Sequence, residues 1–215
     1  IWDVQRIGPS TGLPTRTSQG DLTFTAFIGH GDSHSVILLP GDVYECFEFG
    51  WQAFDIAERA QTPIFVLSDL DMGMNQWMSK PFQYPDTPMQ RGKVLWDKDI
   101  EELKGNWGRY LDKDGDGIPY RTVPGNRHPM SAYFTRGTGH DEHARYSEDA
   151  SVWLKNMDRL KKKYETARKF VPAADNLGGF AVHPQGHSLA VDVRGKLVTF
   201  GLWEGAVRQH GTAES

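Results

Sequence analysis

Cysteine is almost absent from this sequence, where Cys46 stands alone among 215 residues. One thiol excludes an internal disulfide and falls short of the four thiolates an iron–sulfur cluster ordinarily takes. Also missing is any apolar run near the ~20 residues needed to cross a bilayer, and no basic segment followed by an apolar stretch opens the chain as in a signal peptide. The expectation is a cytoplasmic setting without membrane contact. Neither sign of charge dominates: 24 Lys and Arg against 28 Asp and Glu leave a formal −4. That is too weak a field to recruit nucleic acid. There is no initiating Met, because the chain opens at Ile1 inside the strand-like run Ile1-Trp2-Asp3-Val4-Gln5, so it is expected to be the middle of something longer. What is present, 38% apolar and 12% aromatic residues, suffices to bury the core of one domain, or of a domain plus a fragment.

Two short apolar runs carry the fold signal. Ser35 to Leu39 ends at Pro40-Gly41, and Thr62 to Leu67 ends at Ser68-Asp69; both predict buried parallel strands. Between them Val43, Cys46, Phe47, Phe54 and Ala57 recur at helical steps, with Glu45, Glu48, Asp55 and Glu58 on the other side, which predicts an amphipathic crossover helix. Strand, helix, strand implies a βαβ unit in a parallel α/β sheet with right-handed crossovers. Before this unit lies a loop rich in Gly, Pro, Ser and Thr, from Gly8 to Gly20. Residues 72–146 lack a sustained period and are expected to form a long ordered excursion. A helix over 147–171 is predicted from Ser147 as N-cap and apolar positions Ala150, Trp153, Leu154, Met157, Leu160, Tyr164, Ala167 and Val171, with Lys161-Lys162-Lys163 as its solvated side. Residues 1–172 are thus expected to form one partial domain. The tail, 173–215, carries one hairpin pattern about Arg194-Gly195 and is expected to be truncated or divergent.

The chemistry-bearing residues begin with Arg6, at the carboxyl end of the first strand, where open α/β sheets place their ligands. A guanidinium fork there suits a carboxylate; the alternative is that Arg6 pairs a neighbouring acid, Asp3 or Asp21, and braces the loop. Ser10, Thr11 and Thr15 offer hydroxyl donors to the same ligand, or else bond local backbone. Asp112, Asp114 and Asp116 imitate the start of a calcium-binding loop, yet Val123 stands where the twelfth-position glutamate belongs. A solvated turn is favoured over Ca or Mg binding. The run His140-Asp141-Glu142-His143 lacks the helical spacing of a zinc pair and reads as an ordered polar loop.

The run Asp3 to Thr17, followed by Gln19-Gly20-Asp21-Leu22, resembles the strand-end loop of alpha subunits of 2-oxoacid:ferredoxin oxidoreductases of the 2-oxoglutarate type. Further similar segments follow in the same order: Glu45 to Phe49, Pro63 to Asp71, Asp112 to Arg121, and Tyr133 to Arg145. The resemblance covers residues 1–172. It implies an incomplete pyrimidine-binding domain of the thiamine-diphosphate superfamily, α/β and doubly wound about a mostly parallel sheet, with the activating glutamate upstream, so that no catalytic residue is carried over. It also implies substrate-binding roles for Arg6, Ser10, Thr11 and Thr15 toward a 2-oxoacid, most simply 2-oxoglutarate. Thiamine diphosphate and Mg would be shared with a beta subunit, which alone would hold the iron–sulfur cluster; coenzyme A would be co-substrate and ferredoxin the electron acceptor. The clusters 69–75 and 77–81 are expected at a subunit contact. Two rival readings stand beside this one: a non-catalytic interaction module of the same fold, and a calcium-binding surface domain built on Asp112, Asp114 and Asp116.

Overall fold

A computed structural model describes residues 1–6, 20–31, 33–134 and 137–172 in full, together with the backbone of four strands in the tail. The chain divides into two compact units, Ile1–Val171 and Pro172–Ser215.

In the first unit the opening run forms β1 (Trp2–Gln5), followed by a short helix α1 (Asp21–Ala26), β2 (Val36–Leu38), the crossover helix α2 (Val43–Ala60) and β3 (Ile64–Asp69). The three strands form one parallel sheet in the order β1-β3-β2, with Gln5 opposite Asp69 and Val36 opposite Ile64. The α/β fold class is as expected. The central strand is the most apolar, since both its neighbours and both its faces exclude water. Leu38, Ala53, Ile56, Ile64 and Val66 make the core, with Phe170 and Val171 packed against it. Helix α2 starts where Asp42 accepts the amide of Glu45 at 2.8 Å, satisfying an orphan amide of the first turn, while the Glu45 carboxylate reaches back to accept that of Gly41, just before the cap, at 2.6 Å. The helix ends at Gln61 in the left-handed conformation, φ 50°.

Its buried face differs from the expected one. Ala53, Ile56 and Ala60 turn inward, whereas Phe54 is 60% exposed. The residues close to the sheet must be small enough for helix and strand to approach, and the bulky ring is displaced to the rim. Helix α1 was not anticipated, since six residues carry too few turns to show a period.

The excursion contains α3 (Leu70–Met74), α4 (Asp97–Glu102) and a single 3-10 turn, Pro129–Ser131. It has its own small core of Leu95, Ile100 and Trp107, joined by Leu103 and Tyr120. The helix expected over 147–171 is α5 (Ala150–Ala167). Its N-cap is Asp149, not Ser147; the Ser147 hydroxyl instead accepts the Asp149 amide at 3.2 Å. Trp153 and Leu154 are exposed, and the supposed solvated side is split, because Lys163 is only 6% exposed. In the second unit, β4 (Leu177–Val182), β5 (Ser188–Val193), β6 (Lys196–Gly201) and β7 (Arg208–His210) form an antiparallel sheet in chain order. The hairpin pattern is the β5–β6 pair, with Val193 opposite Lys196.

Candidate functional site

Because all three strands of the first sheet run the same way, their carboxyl ends share one edge. Arg6 leaves β1 there, Leu39-Pro40-Gly41 leaves β2, and Asp69 ends β3. Gln5 is 2% exposed; its side-chain amide donates to the Ser68 carbonyl at 3.4 Å across the strands, while its Oε1 is buried without a partner. Asp69 caps α3 by accepting the Met72 amide at 2.8 Å, and Asp42 caps α2. Burial raises the Cys46 thiol above its ordinary range, and so do Asp42, Asp69 and Glu45. Both capping carboxylates therefore act on one thiol at this edge. A thiol so placed stays protonated and packs as a small apolar group.

Arg6 is exposed, and among the described residues no ion pair or hydrogen bond engages its guanidinium. Neither acid that would brace it forms an ion pair with it among the described residues; the Asp3 carboxyl is raised by burial and then by the charge of Asp21. Ser10, Thr11 and Thr15 lie outside the described residues. Nothing in the sequence period pointed to the Gln5–Ser68 link. Its only trace is a long polar side chain closing an apolar strand, and the orphaned acceptor arises from register alone.

Asp112, Asp114 and Asp116 form a turn closed around an ammonium group. Lys93 Nζ lies 2.7 Å from Asp114 and 2.9 Å from Asp116 and donates to the Ile118 carbonyl at 3.0 Å. Asp116 also accepts the Ile118 amide at 2.9 Å, and Asp112 accepts that of Asp116 at 3.0 Å. The hydrogen bond from Lys93 holds the Asp114 carboxyl below the usual range, against burial and with help from Tyr120. Lys93, far away in sequence, thus fills the position that the spacing alone offered to a cation. In the His140 loop, Asp141 accepts the amides of His143 and Arg145, both at 2.9 Å, and Glu142 pairs with Lys155. Among the described residues no group of His, Cys, Asp and Glu forms a metal cluster, and no described helix is long and apolar enough to cross a membrane. A cleft of about 230 Å³ lies between α2 and the excursion, lined by Trp51, Phe54, Asp55, Tyr84 and Met89 among others, away from Arg6.

An open parallel sheet with loops, helix caps and an exposed cation at its carboxyl edge is the arrangement of α/β domains that bind ligands at that edge. Residues 1–91 match the pyruvate flavodoxin/ferredoxin oxidoreductase family, thiamine-diphosphate-binding domain. Over 170 residues the chain is 34% identical to the alpha subunit of 2-oxoacid:ferredoxin oxidoreductase 1 from Sulfurisphaera tokodaii, covering 78% of this chain and 25% of that one. Over 73 residues it is 47% identical to the 2-oxoglutarate synthase subunit KorA of Methanothermobacter marburgensis, covering 34% of this chain and 20% of that subunit. Among solved structures, the 2-oxoglutarate:ferredoxin oxidoreductase of Magnetococcus marinus, with 2-oxoglutarate, coenzyme A and succinyl-CoA bound, superposes with a TM-score of 0.66. It is 28% identical and covers 85% of this chain and 29% of that one. The chain is thus similar to 2-oxoacid:ferredoxin oxidoreductase alpha subunits over most of its length, and its first 91 residues are similar to a thiamine-diphosphate-binding domain. It spans about a quarter of the length of these curated relatives.

Proposed function

We propose that this chain is part of the alpha subunit of a 2-oxoacid:ferredoxin oxidoreductase that converts a 2-oxoacid, in first place 2-oxoglutarate, to an acyl-coenzyme A and CO2. The observation that carries the reading is the exposed Arg6 guanidinium at the carboxyl edge, without an ion pair or hydrogen bond among the described residues, on a domain similar to those of enzymes named for 2-oxoacids. When bound, thiamine diphosphate supplies the electron sink for decarboxylation. Among the described residues no group of His, Cys, Asp and Glu is arranged to hold a metal ion, and in the turn of Asp112, Asp114 and Asp116 two of the carboxylates are paired with Lys93. The reading therefore assigns the diphosphate half of the cofactor, its Mg and the iron–sulfur cluster to the beta subunit, with ferredoxin taking the electrons. This chain's part is to bind and orient: Arg6 grips a carboxylate of the oxoacid by a bidentate pair, and hydroxyls from Ser10, Thr11 and Thr15 fix its position. The exposed Met74, Trp77, Met78, Phe82 and Tyr84 support a beta-subunit contact in this region. The lone thiol suits a reducing cytoplasm.

The test is kinetic, on the assembled alpha–beta enzyme, and failure of a beta subunit to copurify would remove the proposed interface. Arg6→Lys keeps the charge and loses the fork, so kcat/KM for 2-oxoglutarate should fall about thirtyfold, and further for Arg6→Ala, with melting temperature unchanged. Normal kinetics with a depressed melting temperature would return Arg6 to a bracing role.

A further inference from the structure

A second cationic site lies away from the sheet edge, where the loop after Trp107 packs on α5. Two arginines converge there on one ring: Arg109 Cζ is 5.2 Å and Arg159 Cζ 5.8 Å from the centre of Tyr110, which His140 stacks at 3.9 Å. Arg109 also lies 5.6 Å from the ring of Tyr133. Lys163 stands one turn beyond Arg159 on α5, buried, donating to the Gln61 carbonyl at 3.2 Å. Three cations thus gather in a half-buried space, where like charges repel more than in water.

The acids nearby do not balance them. Asp112 favours the Arg159 cation, and Tyr110 does so after it, yet Asp112 already accepts the Asp116 amide and lies 3.9 Å from Lys162. Asp141 is taken by the amides of His143 and Arg145, and Glu142 by Lys155. Arg159 donates from Nη1 to the Gly117 carbonyl at 3.2 Å, but its Nε is buried without a partner. Among the described residues Arg109 has no hydrogen bond or ion pair, only the two rings. Burial, and after it the charge of Arg109, lowers the affinity of Arg159 for its proton. A guanidinium pair left so poorly satisfied is an anion site in the making.

We infer that Arg109 and Arg159, with His140 and Tyr110 as walls and Lys163 behind, bind a phosphate group. A planar carboxylate is filled by one guanidinium fork, whereas a tetrahedral phosphate has oxygens enough for two forks and keeps charge to offset the third cation.

The inference is tested by thermal melts of the 215-residue chain at constant ionic strength, with chloride replaced by inorganic phosphate or glycerol phosphate. The parent should show a saturable rise in melting temperature with phosphate. Arg109→Gln should melt higher than the parent in chloride, because like-charge repulsion is relieved, and should lose at least about tenfold in apparent phosphate affinity. Arg109→Lys should keep part of the response, and Lys98→Gln, an exposed charge elsewhere, all of it. A stronger response to glycerol phosphate than to phosphate assigns the site to phosphoesters, and an equal one to the free anion. If Arg109→Gln melts lower in chloride and keeps the full phosphate rise, that rise is the general effect of phosphate on proteins, and the inference is overturned.

Discussion

The sheet unit and the excursion fold by different means. In the first, apolar side chains of β2, β3 and α2 meet across a short core, with Val36 set opposite Ile64. In the second, a three-residue apolar nucleus is held in place by polar seams to its neighbours. Gln90 donates its amide to Asp55 at 2.9 Å, Arg121 pairs with Glu58, and Thr166 donates to the Asp116 carbonyl at 2.7 Å. The side chain of Gln61 donates to the Pro119 carbonyl at 2.6 Å while its own carbonyl takes Lys163, so one residue joins α2, the excursion and α5. The contrast shows how a segment without periodicity becomes ordered: the regular elements present unsatisfied backbone and charge, and the irregular chain completes them.

The sharpest way to break the seam is Gly117→Ala. Gly117 has φ 81°, and a Cβ there would drive into the backbone of Lys163 and Arg159. The left-handed conformation and the clash together should cost about 4 kcal/mol. Hydrogen exchange should show the excursion opening while β1, β2 and β3 remain protected; uniform loss of protection would mean that the two regions are one cooperative unit.

Ile56→Ala attacks the other side. At 2% exposure in the sheet core, it should cost about 3 kcal/mol by urea titration through lost burial and a residual cavity. Protection in the strands should fall before that in 93–122. The opposite order would show that the seam, and not the core, limits stability.

The smallest effect is read against pH at Lys163. Burial first, then the charges of Arg159 and Arg109, push its ammonium down from 10.5 to about 8. Below pH 8 the group is protonated in both the folded and unfolded states, and folding carries the full cost of burying the charge. Between pH 8 and 10.5 the folded state releases its proton first, the unfolded state binds more protons, and stability rises with pH. Lys163→Met should remove that rise and stay within about 1 kcal/mol of the parent at pH 7. An unchanged pH profile would show that Lys163 is not the titrating group.

The parallel unit was legible because its signals are local. Ile64 to Leu67 is apolar on both faces, Pro40-Gly41-Asp42 stops one element and caps the next, and helical steps place α2. The exposure of Phe54 was not legible, because period identifies a face without saying which of its residues the sheet will admit. Lys163 was misplaced for a related reason: three successive lysines point in three directions on a helix, and one of them met a carbonyl at the end of α2. At the candidate site, the position of Arg6 after a strand marked it as a ligand group, and its freedom from Asp3 and Asp21 became visible only in three dimensions.

By itself, then, the sequence determined the βαβ unit, the strand-end arginine and the family likeness, all of which rest on residues adjacent in the chain or separated by a regular period. Tertiary structure alone decided that Lys93 would fill the turn of Asp112, Asp114 and Asp116, that Gln61 would tie three elements together, and that Arg109 and Arg159 would meet over Tyr110. Each of these joins residues far apart in sequence, and such pairings depend on where unsatisfied donors and acceptors are left once the sheet and helices have packed.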